Sequence, residues 1–249
     1  TDSGTLAIAG ATTISASGQD ITLDQAASTF GTLALTGANV AVTENAATDL
    51  GASVISGTFA ITSGGAITDS GTQAITGDAT FTNTAGTDDS ITLDDASNAF
   101  GGTVTFATDS GSAVTIVDTT ALDLVALTAA SLSATSGGAV TDSGTLAIAG
   151  ATTISASGQD ITLDQAASTF GTLALTGANV AVTENAATDL GASTVSGTLG
   201  ITSAGAVTDS GTLAISGATT ISASGQDITL DQAASTFGTL ALTGANVAV

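Results

Sequence analysis

The side chains with the clearest chemical potential in this sequence are carboxylates, and they recur at fixed places. Clustered carboxylate and amide oxygens can bind Ca²⁺, which takes about six to eight oxygen ligands. The chain has neither an EF-hand loop nor a GGxGxD nonapeptide, so we interpret these acids first as solvated residues at bends that attract cations diffusely. A discrete Ca²⁺ site stays as the alternative. The recurring acids are Asp2, Asp20, Asp24, Glu44 and Asp49, repeated as Asp142, Asp160, Asp164, Glu184 and Asp189.

Two carboxylate pairs, Asp20 with Asp24 and Asp94 with Asp95, raise the question of glycoside hydrolysis, which uses an acid and a base in unlike environments. These acids repeat along the chain instead of converging on one place. The sequence has no His, Lys, Arg, Tyr or Cys to act as partner, nucleophile or oxyanion donor. We therefore expect no enzymatic activity, no catalytic residue and no required cofactor, and keep a polysaccharide-active enzyme as a remote alternative.

Charge narrows the range of partners. The 22 acids and the absence of Lys and Arg give a formal net charge of -22. Nucleic acid is bound through basic surfaces, and an anionic membrane surface repels such a chain, so we expect neither as a partner. The longest weakly polar stretch, residues 119–132, contains Asp123 and is too short and too polar to cross a bilayer.

Internal repetition dominates the organisation of the chain. The string TDSGT starts at residues 1, 68, 141 and 208, and residues 1–50 recur unchanged as 141–190. This predicts one continuous array of four units: residues 1–67, residues 68–140, residues 141–207 and a partial unit of residues 208–249. Since the sequence starts and stops inside a unit, we expect it to be a segment of a longer protein. Such periods are typical of solenoids, whose units bury their apolar faces by stacking on one another.

Short stretches of alternating apolar and small residues indicate strands. Leu6 and Ile8, Val40 and Val42, and Phe59 and Ile61 each flank an alanine. This period of two, interrupted by Gly, is typical of half-buried strands. We count about nine per unit, separated by too few residues for the crossovers that parallel strands need in one flat sheet.

A coil allows parallel strands with connections this short. The sequence predicts an all-β fold, a parallel β-helix or solenoid with about three rungs per 67–73-residue repeat, wound by default to the right. A string of β-sandwich domains of about 70 residues is the alternative, but sandwich cores favour larger aromatic anchors than seven Phe provide.

Comparison of the first and third units predicts which residues face inward. Residues 55, 59 and 67 change only among apolar types, as cores tolerate best, whereas residue 54 changes from Val to Thr. We therefore expect residues 55, 59 and 67 in the core and residue 54 on the surface. The glycines of the GQD and GTL strings are expected at bends.

The second unit is the divergent one. It gains Thr87, Asp88 and Asp89 at one bend and a further net insertion around Asp109–Ser112. Loops that bulge from a solenoid often carry binding, so residues 88–112 are the predicted place for a specialised patch that binds Ca²⁺ or a glycan. Neutral drift in a spacer is the alternative interpretation.

The phrases GAITDSGTQAITGDATFT, ITLDDASNAFGGTVTF and ALDL resemble those of large bacterial β-strand-repeat surface proteins, similar to filamentous haemagglutinins and other giant adhesins. The resemblance covers essentially the whole chain. It implies an extracellular or cell-surface stalk or fibre used in adhesion, aggregation or biofilm matrix, with glycans or other cells as partners. The chain departs from those proteins by lacking a secretion domain, an RGD and a basic glycan-binding patch, so we expect a structural segment. Its small residues also predict lateral, cation-bridged assembly with itself.

Overall fold

A computed structural model describes residues 1–84 and 89–249, and the described residues contain strands and turns but no helix. The strands of the first two units are β1 (Ala7–Ser15), β2 (Ile21–Leu23), β3 (Thr29–Gly37), β4 (Val40–Glu44), β5 (Thr48–Leu50), β6 (Ser53–Ile55), β7 (Phe59–Ser63), β8 (Ile67–Asp69), β9 (Gln73–Ile75), β10 (Ala79–Asn83), β11 (Ile91–Leu93), β12 (Ala99–Phe100), β13 (Thr103–Ala107), β14 (Ala113–Asp118), β15 (Leu122–Leu124), β16 (Leu127–Ala129), β17 (Ser131–Ser136) and β18 (Val140–Asp142). Those that follow are β19 (Leu146–Ser155), β20 (Ile161–Leu163), β21 (Thr169–Gly177), β22 (Val180–Glu184), β23 (Thr188–Leu190), β24 (Ser193–Val195), β25 (Leu199–Ser203), β26 (Val207–Asp209), β27 (Leu213–Ser222), β28 (Ile228–Thr229), β29 (Thr236–Thr243) and β30 (Val247–Ala248).

These strands stack as a parallel β-solenoid. Strands pair in parallel with strands of the next turn, as Thr22 does with Ala41 and Ala41 with Ala60. The chain makes about 12 turns. With about 4.8 Å between neighbouring strands, the stack is about 58 Å long. The predicted all-β parallel solenoid is thus confirmed.

Successive repeats do not start on the same face of the coil. Strands β2 and β20 have the same sequence, ITL, and seven pairing steps along one ladder connect them. The corresponding ITL strand of the second unit, β11, lies on a neighbouring ladder, and seven steps connect it to β28 in the fourth unit. The 67 residues from β20 to β28 therefore make three turns plus one further strand. The 140 residues from β2 to β20 make seven whole turns, so the third unit is in phase with the first.

The core is a continuous apolar column inside the coil. Ile55, Phe59 and Ile67 are fully buried, and Val54 is 58% exposed, so the predicted inward and outward positions are confirmed. Burial depends on the turns above and below. Leu6 is only half-buried, whereas the identical Leu146, with a turn on either side, is inaccessible.

An aromatic cluster fills the core of the second unit. The ring of Phe81 contacts those of Phe59, Phe100 and Phe106, with centroid distances of 5.6, 6.0 and 5.7 Å. Four of the seven Phe residues in the sequence thus meet in adjacent turns. The divergent unit therefore keeps a well-packed core.

Glycine occurs at two positions for different physical reasons. Gly18, in the GQD bend, has a φ of 74°, which favours glycine, as expected at a bend. Gly31, in GTL, instead lies inside β3, where a Cβ would clash with the carbonyl oxygen of Ala9. It sits opposite a register shift in β1 between Ile8 and Ala11, so the bend predicted there is wrong and close backbone approach explains the glycine.

The insertions of the second unit lie between strands. Asp109 and Ser112 form a tight turn between β13 and β14, in which the backbone N–H of Gly111 donates to Asp109 Oδ1 at 3.0 Å. The register on either side is intact, as Ile91 pairs with Val114. Of the other predicted insertion, Thr87 and Asp88 lie outside the described residues.

Candidate functional site

The aspartate of each TDSGT string joins one turn to the next. One carboxylate oxygen accepts a hydrogen bond from a backbone N–H about 22 to 25 residues later, at the end of the next ITL strand. The same geometry recurs in all four units. The pairs are Asp2 with Asp24 N (3.1 Å), Asp69 with Asp94 N (2.8 Å), Asp142 with Asp164 N (2.8 Å) and Asp209 with Asp231 N (2.8 Å).

A second bond between turns comes from the DQAAST corner. Ser28 Oγ accepts a hydrogen bond from Leu6 N at 3.1 Å, and the copies Ser168 and Ser235 repeat it. In the second unit Asn98 takes this place and accepts from Gln73 N at 2.7 Å. A carboxylate, hydroxyl or amide therefore satisfies backbone donors at the same corner of every unit.

The two glutamates of the chain lie in the core. Glu44 and Glu184 are each 2% exposed, with Oε1 accepting from the backbone N–H of Phe30 at 2.7 Å and of Phe170 at 2.8 Å. Glu44 Oε2 also accepts from the Thr48 hydroxyl at 2.9 Å. The interpretation of these two as solvated acids at bends is wrong, because the inward alternation of Val40 and Val42 continues to residue 44.

The second unit reaches the same arrangement with a shorter side chain. Asp118, 1% exposed, accepts from Phe100 N at 3.1 Å through Oδ1, which also accepts from the backbone N–H and hydroxyl of Thr120. Phe100 corresponds to Phe30 and Phe170. Sequence comparison alone does not identify this equivalence, because Asp118 lies 18 residues after its partner and Glu44 only 14.

Other acids lie on the outside and also bridge turns. Asp20 Oδ1 accepts from both the backbone and the side-chain amide of Asn39, whose Oδ1 in turn accepts from Thr58 N at 3.0 Å. The third unit repeats this corner through Asp160, Asn179 and Thr198. On a neighbouring face Asp49 Oδ2 accepts from the hydroxyls of Thr32 and Ser70, both at 2.8 Å, and Asp189 repeats it.

Burial sets the protonation of the inward acids. It raises the pKa of Glu44 and of Glu184 above the ordinary 4.5, with hydrogen bonds from Phe30 and Phe170 partly opposing it. Burial likewise raises the pKa of Asp118, and raises that of Asp142 to about 6 against opposing hydrogen bonds from residues 164 and 165. Burial thus shifts the protonation equilibrium of these groups toward the neutral form.

The pKa values of two acids outside the core are shifted in opposite directions. Partial burial raises the pKa of Asp69, although the side-chain amide of Asn98 and two backbone N–H groups donate to its carboxylate. Hydrogen bonds from Thr103 lower the pKa of the exposed Asp78. The difference between these two pKa shifts is explained by burial and needs no reaction centre.

The candidate acid pairs do not form a catalytic constellation. Asp20 faces the Asn39 corner, whereas Asp24 Oδ1 accepts from the Gln25 amide. Asp95 Oδ1 accepts from the Thr72 hydroxyl and from Ser97 N, while Asp94 N donates to the preceding turn. Across residues 1–84 and 89–249, no three His, Cys, Asp or Glu side chains gather as a metal site requires. A discrete Ca²⁺ site stays a prediction.

An open groove of about 350 Å³ lies on the second unit. Asp78 and Asp123 border it, and Gly101, Gly102 and Leu122 contribute to its lining. It overlaps the predicted patch of residues 88–112 only at residues 101–103. The groove combines two carboxylates with small residues.

Comparisons with known proteins place the chain in a family. No helix among the described residues is long and apolar enough to cross a membrane. Neither curated proteins nor solved structures gave a match. A family model described as repeats of unknown function matches four times, over residues 1–36, 37–107, 111–176 and 177–244. These divisions differ from the TDSGT marks, since a continuous coil can be divided at any point. With nearly the whole sequence matched, the chain belongs to the family of repeats of unknown function (DUF5649).

Proposed function

We propose that this chain is a rigid, non-enzymatic structural segment, a spacer or fibre body. The observation that carries the proposal is the use of the recurring polar side chains. Asp142, Ser168 and Glu184, which by residue type could do chemistry, each accept a backbone N–H from a neighbouring turn. Their recurrence is explained by the need to hold turns together, without a substrate.

The continuity of the core supports the same role. Buried apolar residues run from Ile21 to Leu230, so no flexible linker interrupts the described turns. Each turn packs on the next, as in other quasi-one-dimensional repeat proteins. Length can then be added without a change of architecture, which suits a spacer.

We further propose an extracellular or cell-surface location, as part of a stalk or fibre used in adhesion, aggregation or matrix. The resemblance to giant bacterial adhesin repeats supports this placement. So does the absence of Lys and Arg, which leaves no cleavage site for trypsin-like proteases. Antibody labelling of intact, unpermeabilised producing cells tests it, and labelling seen only after permeabilisation would refute it.

Rigidity can be measured directly because the chain contains no cysteine. Asp20 and Asp160 are exposed and occupy equivalent corners seven pairing steps apart. Spin labels on Asp20→Cys and Asp160→Cys should give one narrow distance near about 34 Å, seven times the strand spacing. A broad distribution would indicate independently moving units and contradict the spacer. A pair at positions 160 and 227, which lie on different ladders, is the matched control and should be shorter.

The partner that this surface supports best is another copy of the chain. Twenty-two acids over about 58 Å place roughly one charge every 2.6 Å, which approaches the density that condenses counterions on DNA. Lateral association of such rods therefore requires screening. Light scattering with Mg²⁺ or Ca²⁺, followed by a chelator, tests it: assembly indifferent to both cations and chelation would refute cation bridging.

Ligand binding is the second candidate function, and the groove beside Asp78 and Asp123 is the observation that favours it. Occupancy by Ca²⁺ or a glycan should protect this unit selectively in hydrogen exchange. Asp123→Asn would then reduce the protection, whereas the exposed Asp231→Asn would not. Equal protection of all units would count against a ligand site.

A further inference from the structure

We propose that four inward carboxyl groups make the stability of the coil depend on pH, so that mild acid stabilises the coil and a rising pH destabilises it. These groups, here called the buried carboxyl set, are Glu44, Asp118, Asp142 and Glu184. The proposal concerns the stability of the coil and does not depend on where the chain works. It rests on three features: the position of the four groups, the unsatisfied second oxygen of three of them and the composition of the chain.

The four groups occupy one kind of position. Each is at most 5% exposed, and each uses one oxygen to accept a backbone N–H at a junction between turns. The donors are Phe30 N, Phe100 N, Asp164 N and Phe170 N. A carboxyl group can accept this bond whether it is ionised or neutral, so the junction survives protonation.

In three of the four groups the second oxygen has no partner, whereas Glu44 Oε2 accepts from the Thr48 hydroxyl. Asp118 Oδ2, Asp142 Oδ2 and Glu184 Oε2 are buried without a hydrogen-bond partner. An ionised oxygen in that state loses its hydration without compensation, at a cost of several kcal/mol on general grounds. Protonation removes the charge and turns the oxygen into a donor.

No protein cation can neutralise the set. The sequence contains no Lys, Arg or His, so apart from the amino terminus every ionisable side chain is an acid. The titratable side chains on the elements packed around the set, Asp49 on β5, Asp123 on β15 and Asp189 on β23, are also carboxylic acids. Asp164, at the end of β20, adds repulsion to Asp142. A buried ion pair, the usual alternative to protonation, is therefore absent.

The direction of the effect follows from linkage. Burial raises the folded-state pKa of all four groups, to about 6 for Asp142, above the ordinary 3.8 for Asp and 4.5 for Glu. The folded chain therefore binds more protons than the unfolded chain. The stabilisation is complete below the ordinary values and is lost as the pH rises through the folded-state values. Acid should accordingly stabilise this protein, opposite to the usual acid denaturation.

The two glutamates provide a selective probe, because Glu44 and Glu184 are the only glutamates in the sequence. In the intact chain labelled with ¹³C-glutamate, both Cδ resonances should titrate with midpoints above 4.5. After unfolding in urea both should move to the ordinary value. Midpoints at or below 4.5 in the folded chain would overturn the proposal.

Thermal unfolding gives an independent test. The apparent melting temperature should rise by several degrees from about pH 8 to about pH 5. In the variant Glu44→Gln, Asp118→Asn, Asp142→Asn and Glu184→Gln, which keeps the accepting oxygens, this rise should be largely lost. The control variant Asp20→Asn, Asp24→Asn, Asp160→Asn and Asp231→Asn removes the same charge from exposed positions and should keep it. Equal slopes in the two variants would show that overall repulsion, not the buried carboxyl set, causes the pH dependence.

Discussion

Glu184 Oε1 lies 2.8 Å from the backbone nitrogen of Phe170, and this bond joins a corner of one turn to the inner face of the next. Glu44 repeats it with Phe30 at 2.7 Å, and Asp118 supplies it to Phe100 in the second unit. The same arrangement therefore occurs three times: the backbone N–H of a buried Phe donates to an inward carboxyl oxygen instead of to a strand partner.

Replacement of Glu184 by Ala should destabilise the coil by about 1–3 kcal/mol, because the buried N–H of Phe170 would lose its acceptor. Glu184→Gln keeps the acceptor without the charge and should cost less, or nothing, at neutral pH. Urea unfolding followed by circular dichroism measures both. A Gln variant as unstable as the Ala variant would show that the carboxylate charge, not the accepting oxygen, holds the junction.

Gly144→Ala should be among the most damaging single changes. A Cβ at residue 144 would clash with the carbonyl oxygen of Val125, so the two turns must move apart. Overpacking of this kind costs about 1–3 kcal/mol or more. Gly4, at the same place in the first TDSGT string, has open space around it, so Gly4→Ala should be neutral. Melting temperatures of the two variants decide, and equal values would contradict close stacking at this corner.

Phe81→Ala should cost about 3–5 kcal/mol, as for other large aromatic residues removed from a core. Phe81 is inaccessible and packs against three other rings. Val54→Thr is the matched surface change, since residue 54 is 58% exposed and the third unit has Thr194 there. It should be within about 0.5 kcal/mol of the parent. A mild Phe81→Ala would mean that the second unit is loosely packed.

Cations should stabilise the rod without saturating a site. The acids of the described residues are spread along the coil and form no metal cluster, so screening should raise the melting temperature smoothly with salt. Ca²⁺ and Mg²⁺ at equal concentration should act alike, and their removal by a chelator should reverse the effect. A saturable response to Ca²⁺ alone would instead support the discrete site. Asp123→Asn would then test the groove.

The sequence predicted the coil well because alternation is a local signal. Ile55 and Val54 are adjacent, and their opposite environments follow from the pleat alone. The roles of Glu44 and Asp118 could not be predicted, since each depends on a backbone donor brought near by the previous turn. Residue type misled here: a carboxylate after an apolar run is usually at the surface, and its inward position shows only once the strand is continued.

The TDSGT aspartates illustrate the same limit. Their recurrence was visible as a pattern, but the partner of Asp142 is the backbone of residue 164, whose type carries no signal. Small side chains gave a similar difficulty. Gly31 was assigned to a bend from its type, whereas its position reflects the shift between β1 and β3. Such contacts require the register between turns to be known.

The length of the second unit determines on which side of the coil the residues of the third unit lie. With 67 residues alone, each copy of the Asp20 corner would be displaced around the axis by one strand from the previous copy. The 73-residue unit cancels that displacement, so Asp20 and Asp160 share a side, and Asp227 does not. An insertion or deletion within a unit of this chain would therefore change the angle between copies: a partner with two binding sites could engage the first and third copies together, and a few residues more or fewer in between would turn one of them away.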